Sequence, residues 1–248
     1  MVITKYSKLT NKSILFDEEK HKYFNDKNEE YISVSNLIGR YKNPFDPYGN
    51  IIKKYAEKRG MTVEEVREMW NKMKDDGLER GSNFHNDIEH FINTGEILDT
   101  KNKHYIEQFK NFNLKGKLYS ETTLFYDKYK IAGTADLIEV FKGNKINIYD
   151  FKTNKKLDSH GFMGKTMKYP LYHLQDCSIE HYTIQLSSYA FMLEDELGFW
   201  INNLYILYIN PRTNMIDVHK VKYYRKEVEK IFKLNISNPN SDPFADFF

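Results

Sequence analysis

Apolar and polar positions along the chain change their period several times, and these changes divide it into strand-like and helical stretches. Short alternating runs at 13–16, 21–24 and 30–33 predict an N-terminal β-meander. From 34 to 112 the apolar positions recur mainly at helical spacing. The first half of the chain is therefore expected to be a small meander followed by helices.

Within the helical stretch, Thr62 and Glu65 form a capping-box pattern that predicts a helix over 62–76. Gly77 and Gly81 predict a break, after which Ser82 would cap a new helix. Apolar positions of that second helix recur at i, i+4 and i+7, at Phe84, Ile88 and Phe91. A further helix is expected at 102–112.

From 116 onward the pattern becomes predominantly β. Three successive antiparallel strands are predicted at 117–126, 129–140 and 145–152, joined by short polar turns. The remaining predicted elements are a helix at 180–196, strands at 202–210 and 215–221, a helix at 222–234 and a tail from 236 to 248. The pattern predicts an α/β fold with a central mixed sheet flanked by helices.

Length and composition narrow the class of protein. With 248 residues, 40% of them hydrophobic, we expect one domain over 1–235, divided into a meander and helical part (1–115) and a core (116–235). No run of 18 apolar residues and no signal-peptide pattern occurs, which predicts a cytoplasmic protein without a membrane segment. The single cysteine, Cys177, excludes an internal disulfide and a four-cysteine metal site.

The net charge of +2 is uninformative, but the charge is unevenly distributed. Residues 141–168 carry seven lysines against two aspartates, a local excess of +5. Such a surface suits phosphate groups, although a solvated lysine-rich loop has the same composition. Since 153–180 is long for a connection, we hypothesise that it guides a DNA strand. The lysines assigned to this role are Lys155, Lys156, Lys165 and Lys168.

The candidate chemistry lies in the segment KINIYDFKT. Strand alternation places Asp150 and Lys152 on one face, after Ile146 and Ile148. Because the preceding positions are apolar, these charges need either each other or a metal ion. The D-x-K pattern alone is weak, and Glu18 with Lys20 forms a similar pattern elsewhere.

A second acid strengthens this candidate. Thirteen residues separate Asp136 from Asp150, and the predicted hairpin between them would bring the two carboxylates together. Two close carboxylates repel each other, and a divalent cation relieves that repulsion while activating water.

The motifs around these acids resemble those of the PD-(D/E)XK nuclease superfamily, in its RecB-like and phage exonuclease branch. The resemblance runs discontinuously over roughly 30–210. The similar segments are YISVSNLIGRYKNPFD (31–46), ERGSNFHNDIEHF (79–91), IAGTADLIEV, IYDFKTNKK and HYTIQLSSYAFMLE. The resemblance implies a restriction-endonuclease-like core, with Ala135 where the family usually has proline.

The resemblance also implies roles for individual residues. Asp136, Asp150 and the carbonyl of Phe151 would bind one or two Mg²⁺ or Mn²⁺ ions. Lys152 would position or activate the attacking water and stabilise charge on the phosphate.

Other residues enter through the same resemblance. His85 matches the family histidine that approaches the metal, although an ordinary surface histidine remains an alternative. Gln185 and Tyr189 match residues that orient the lysine and contact DNA. Two further acids are possible participants: Glu89, one helical turn after His85, and Glu121, which could instead pair with a lysine across the sheet.

The C-terminal segment SDPFADFF is unusual because it ends a polar tail with three phenylalanines, Phe244, Phe247 and Phe248. They could fold back onto the domain or bind a partner. Their spacing resembles peptides that dock on sliding clamps and, less closely, the acidic tails of single-stranded-DNA-binding proteins.

Taken with the resemblance, the sequence predicts a metal-dependent DNA exonuclease of replication, recombination or DNA degradation, encoded by a phage. Two alternatives remain. One is a structure-specific endonuclease of the same fold, and the other is a catalytically silent DNA-binding or clamp-associated adaptor.

Overall fold

A computed structural model describes residues 1–20, 22–44 and 49–237. Its N-terminal part is the predicted meander, with one more strand than the sequence indicated. The strands β1 to β4 pair successively in antiparallel fashion. They span Val2–Tyr6, Ser13–Asp17, Lys22–Phe24 and Glu30–Ser33.

Four helices follow: α1 (Val34–Gly39), α2 (Asn50–Arg59), α3 (Val63–Thr94) and α4 (Lys103–Lys110). The capping box of Thr62 and Glu65 is present at the start of α3. The predicted break is wrong, because α3 runs on through Gly77 and Gly81 for 32 residues. Each glycine costs a helix only about 1 kcal/mol. Burial of Phe84 and Ile88 in the second half of α3 offsets that cost.

The main sheet is built around a long hairpin. Strands β5 (Lys117–Tyr126), β6 (Ile131–Val140) and β7 (Lys145–Lys152) pair antiparallel, as predicted. Strand β8 (Trp200–Asn210) runs parallel to β7, and β9 (Met215–Val221) returns antiparallel to β8. The meander joins this sheet through a short parallel pairing of β4 with β6.

Two helices complete the described part of the chain. Helix α5 (Ser178–Leu197) covers one face of the sheet, and α6 (Arg225–Ser237) packs on α5. Because α6 continues to Ser237, the predicted tail begins later than position 236. The residues from 238 onward lie outside the described part of the chain, and so do Phe244, Phe247 and Phe248.

Hydrophobic side chains lie on both faces of the sheet. Ile146 and Ile148 of β7 face the α5 side, whereas Tyr149 and Phe151 face α3 and α4. The predicted α/β class is therefore confirmed, with a central mixed sheet of nine strands among the described residues. Within the same residues, every helix is too short or too polar to cross a lipid bilayer.

Candidate functional site

The candidate site lies where strands of the main sheet diverge. One edge of strand β6 pairs with β5. Its other edge pairs with β4 at Ile131 and Ala132 and with β7 from Leu137 onward. Between these pairings, no strand of residues 1–20, 22–44 or 49–237 pairs with the edge around Asp136. The backbone N–H of Phe151 donates to Oδ2 of Asp136 at 2.7 Å, in place of a ladder bond. The divergence thus leaves room for polar side chains inside the sheet.

Asp150 and Lys152 are neighbours on one face of β7, as strand alternation predicts. Nζ of Lys152 lies 2.6 Å from Oδ2 of Asp150, whose side chain is 2% exposed. Oδ1 of Asp150 is buried and accepts no hydrogen bond from any described residue. A buried carboxylate oxygen without a donor is costly, which favours a ligand that supplies positive charge.

Three further polar side chains converge beside this pair. Nδ1 of His85 lies 3.0 Å from Oε1 of Glu121 and 3.8 Å from Oδ1 of Asp136. One ligand atom from each of His85, Glu121 and Asp136 lies within 4.8 Å of the others, a spacing compatible with a shared metal ion. Of the two roles open to Glu121, the structure favours the one beside the acids.

The backbone places Glu121 with unusual geometry. Glu121 lies opposite Asp136 in the β5–β6 register, between the pairs Ser120–Leu137 and Thr122–Ala135. Its φ of 41° falls in the left-handed region, which a non-glycine residue in a strand rarely adopts. Such conformations cluster at functional sites, where surrounding structure holds them in place.

Helix α3 carries His85 to the site and is fixed to the end of β7. Nε of Arg80 donates to the carbonyl of Thr153 at 3.0 Å. A Cβ at Gly81 would lie 3.5 Å from Oγ1 of Thr153, so the glycine lies close to the segment that follows Lys152. The ring of His85 packs edge-on against that of Phe151, at 6.3 Å between centroids.

The electrostatics of the cluster reflect opposing charges in a buried setting. Burial lowers the pKa of His85, but the carboxylates of Asp136 and Glu121 outweigh it and raise the pKa to about 9. Burial raises the pKa of Asp136 and of Asp150 despite the nearby cations. The nearby cations thus do not fully offset the cost of burying these ionised carboxylates, as expected at a site that binds a further cation.

Helix α5 places one aromatic ring against the lysine and carries the two predicted residues, Gln185 and Tyr189, further along the helix. Nε2 of Gln185 donates to the hydroxyl of Tyr189 at 3.3 Å. Tyr189 is 3% exposed and packs on Gly133, so its burial favours a packing role over the expected DNA contact. The ring in contact with Lys152 is that of Tyr182, with Nζ 4.6 Å from the ring centroid. Tyr182 lies three residues before Gln185 on the same helix, and this spacing is the sequence feature that places both residues on one face of α5.

The remaining candidates lie around this centre. Glu89 forms an ion pair with Lys8 at 3.1 Å. It lines the same groove as His85 and Glu121. That groove has a volume of about 620 Å³ and is lined by His85, Glu121 and the small residues of α3. Of the loop lysines, Lys155 and Lys165 are exposed, Lys168 is half-buried and Lys156 pairs with Asp158.

Comparisons with known proteins add little to this geometry. No protein-family model and no curated protein matches the chain. Two solved structures show a distant likeness, each at a TM-score of 0.41. One is the protein SSO0001, at 17% identity over 85% of this chain and 77% of its own. The other is a protein of Eubacterium rectale named "Putative exonuclease", at 14% identity over 86% of this chain and 81% of its own. Likenesses this distant carry no argument about activity.

Proposed function

We propose that the chain is a metal-dependent deoxyribonuclease that hydrolyses phosphodiester bonds at the cluster of Asp136, Asp150 and Lys152, acting as an exonuclease. The observation that carries the proposal is the buried Asp150: its Oδ1 accepts no hydrogen bond from the described part of the chain, and Nζ of Lys152 lies 2.6 Å from its Oδ2. An acid and a lysine buried together at a strand end, next to a second acid, suit phosphoryl chemistry better than they suit a core.

The donor set fits Mg²⁺ or Mn²⁺. Asp136, Glu121 and Asp150 offer hard carboxylate oxygens, and His85 offers a nitrogen that Mn²⁺ tolerates well. In this proposal these four residues hold the ion or ions, and the carbonyl of Phe151 remains a further candidate. A bound divalent cation supplies Lewis-acid polarisation of the phosphate and lowers the pKa of water.

The chain's own residues supply positioning and charge. Lys152 is held between Asp150 and the face of the Tyr182 ring, so its ammonium group has a defined orientation. In that position it can orient the attacking water and stabilise the charge that develops on the phosphate. Tyr182 restricts the lysine, and Gln185 of the same helix hydrogen-bonds to Tyr189.

DNA as the substrate is supported by the surface next to the site. The loop after β7 carries Lys155, Lys156, Lys165 and Lys168 and starts one residue after Lys152. Cations so close to the reacting group would contact the phosphates that flank the cleaved bond. The proposal treats the chain through α6 as a single nuclease domain, with the segment from 238 as a partner-binding peptide.

The test is cleavage of end-labelled single- and double-stranded DNA in Mg²⁺, Mn²⁺ or EDTA. Wild type is expected to cleave with either metal and not in EDTA, and Lys152→Ala to lose at least about a hundredfold in rate. Lys20→Ala is the matched control, because Lys20 forms a similar pattern with Glu18 on the exposed surface. Equal rates for Lys152→Ala and wild type would refute the proposal.

The same assay separates the alternatives. An exonuclease consumes linear DNA and leaves covalently closed circles intact, whereas an endonuclease of the same fold cuts both. A silent adaptor would bind DNA without cleaving it in any metal.

A further inference from the structure

The long connection between β7 and α5 is ordered by its own buried anchors. Met167, Leu171 and Leu174 are at most 6% exposed and belong to the main core. The loop folds back on itself, since Met167 N–H donates to the carbonyl of Leu174 and Thr166 forms a bridge with Gln175. The tight turn over 168–173 is therefore anchored to the core of the protein by its own apolar side chains and backbone hydrogen bonds.

Two tyrosines project from that turn. The rings of Tyr169 and Tyr172 are stacked, with an interplanar angle of 16° and 6.3 Å between centroids. Tyr172 is 63% exposed and Tyr169 is 40% exposed. Nζ of Lys230 in α6 lies 4.8 Å from the centroid of the Tyr169 ring, which is a cation–π contact. A stack of two rings with an exposed outer member offers a surface on which a further planar ring can continue.

Two further lysines, Lys168 and Lys42, lie close to this tyrosine pair. Lys168 lies beside the pair, and its backbone N–H donates to the carbonyl of Tyr41. The next residue, Lys42, is half-buried. Burial lowers the pKa of Lys42, the nearby carboxylate of Asp176 raises it, and the charge of Lys152 lowers it. The backbone contact thus brings the segment of Lys42 next to the tyrosine pair, with Asp176 on its other side.

The segment also has a net positive charge. Between 153 and 177 there are four lysines and two acids, Asp158, which pairs with Lys156, and Asp176, which pairs with His181. Aromatic rings next to cations along a path match the way proteins hold single-stranded nucleic acids, by stacking on bases and contacting phosphates. A duplex offers its bases no such access, because they are stacked inside it.

We infer that Tyr169 and Tyr172 form a base-stacking platform for single-stranded DNA, which leads the strand past Lys168 and Lys42 to Lys152. The inference rests on the proposed function for the identity of the strand. It adds a preference for single strands, or for duplexes with an unpaired end.

The test measures binding without catalysis. A fluorescein-labelled 20-mer of deoxythymidine and a 20-base-pair duplex are titrated in EDTA, with anisotropy as the readout. Tyr172→Ala is expected to weaken binding of the single strand about tenfold, as loss of one base-stacking contact implies, and to leave the duplex unchanged. Tyr172→Phe keeps the ring and should bind like wild type.

Trp200→Ala is the matched control. Trp200 is 71% exposed and pairs with Lys145, at the end of β7 opposite Lys152, so its loss should not affect binding. Unchanged binding of the single strand by Tyr172→Ala would overturn the inference. So would an equal loss for single strand and duplex, or a change of oligomeric state with unchanged DNA binding, which would mark an interface between copies.

The two proposals fail separately. If Lys152→Ala cleaves normally while Tyr172→Ala loses the single strand, the active-site assignment fails and the platform stands. If Tyr172→Ala binds normally while Lys152→Ala is inactive, the platform fails and the nuclease assignment stands.

Discussion

Glu139 offers a quantitative test of how the site's hairpin is held. Its carboxylate is 2% exposed and lies in β6, three residues after Asp136. It accepts four hydrogen bonds, from the backbone N–H groups of Lys115 and Gly116 at 2.8 and 2.9 Å, the amide of Asn147 at 3.0 Å and the hydroxyl of Tyr149 at 2.6 Å. Two of these donors are on β7, so Glu139 joins the two strands that carry Asp136 and Asp150.

The substitution Glu139→Gln converts one acceptor into a donor. The new amide nitrogen would face Nδ2 of Asn147, which cannot turn away because its Oδ1 accepts from Asn202 at 2.9 Å. A hydrogen bond to a charged group contributes about 1.5–3 kcal/mol, and an unsatisfied buried donor costs about 1–3 kcal/mol. We expect a loss of about 3 kcal/mol in the free energy of unfolding, or roughly 6–12 °C in Tm.

The effect should depend on pH in a defined direction. Burial raises the pKa of Glu139, but its hydrogen-bond donors outweigh burial and hold the pKa below the ordinary value of 4.5. The stabilisation by the carboxylate is therefore fully present above that value and is lost as the pH falls through the lower folded pKa. The stability difference between wild type and Glu139→Gln should stay constant above about pH 5 and shrink below it.

The assay is urea unfolding followed by circular dichroism between pH 3.5 and 7. Glu30→Gln is the control, because Glu30 is 50% exposed and its ion pair with Lys22 should contribute little. A variant as stable as wild type at pH 7, or a difference that grows on acidification, would refute the reasoning.

Two glycines give opposite predictions that thermal unfolding can check. A Cβ at Gly133 would lie 2.9 Å from Cε1 of Tyr189. Gly133→Ala should therefore lower the free energy of unfolding by about 1–3 kcal/mol through overpacking. Unchanged stability would mean that Tyr189 moves freely. At Gly77 the nearest atom to an added Cβ is 3.8 Å away, so Gly77→Ala should stabilise α3 by about 0.5–1 kcal/mol; a loss of stability would contradict a continuous helix.

Local patterns predicted most of the fold. Alternation in KINIYDFKT was sufficient to place Asp150 next to Lys152, because the strand period of two leaves no other arrangement. The N-terminal strand β1 was missed, since its exposed side chains give it no buried face to mark it. The continuity of α3 was also missed, because tertiary packing of Phe84 and Ile88 outweighs the local cost of two glycines.

The candidate site was less predictable than the strands that carry it. The position of Glu121 depends on the register of β5 against β6, and a sequence pattern does not fix that register. Tyr182 and Lys152 are 30 residues apart in the chain and lie on different elements, so no local sequence spacing predicts their contact. Burial of Tyr189 against Gly133 likewise depends on how α5 packs on the sheet.

In the proposed function, His85, Glu121, Asp136 and Asp150 form a divalent-cation site. Isothermal titration of Mn²⁺ into wild type, Asp136→Asn and Asp158→Asn measures binding to this site. Asp158→Asn is the control, because Asp158 is a half-exposed acid that pairs with Lys156. Wild type and Asp158→Asn are expected to bind Mn²⁺ equally, and Asp136→Asn is expected to bind it at least about tenfold more weakly. Equal binding by Asp136→Asn and wild type, or no binding by wild type at millimolar Mn²⁺, would contradict this assignment.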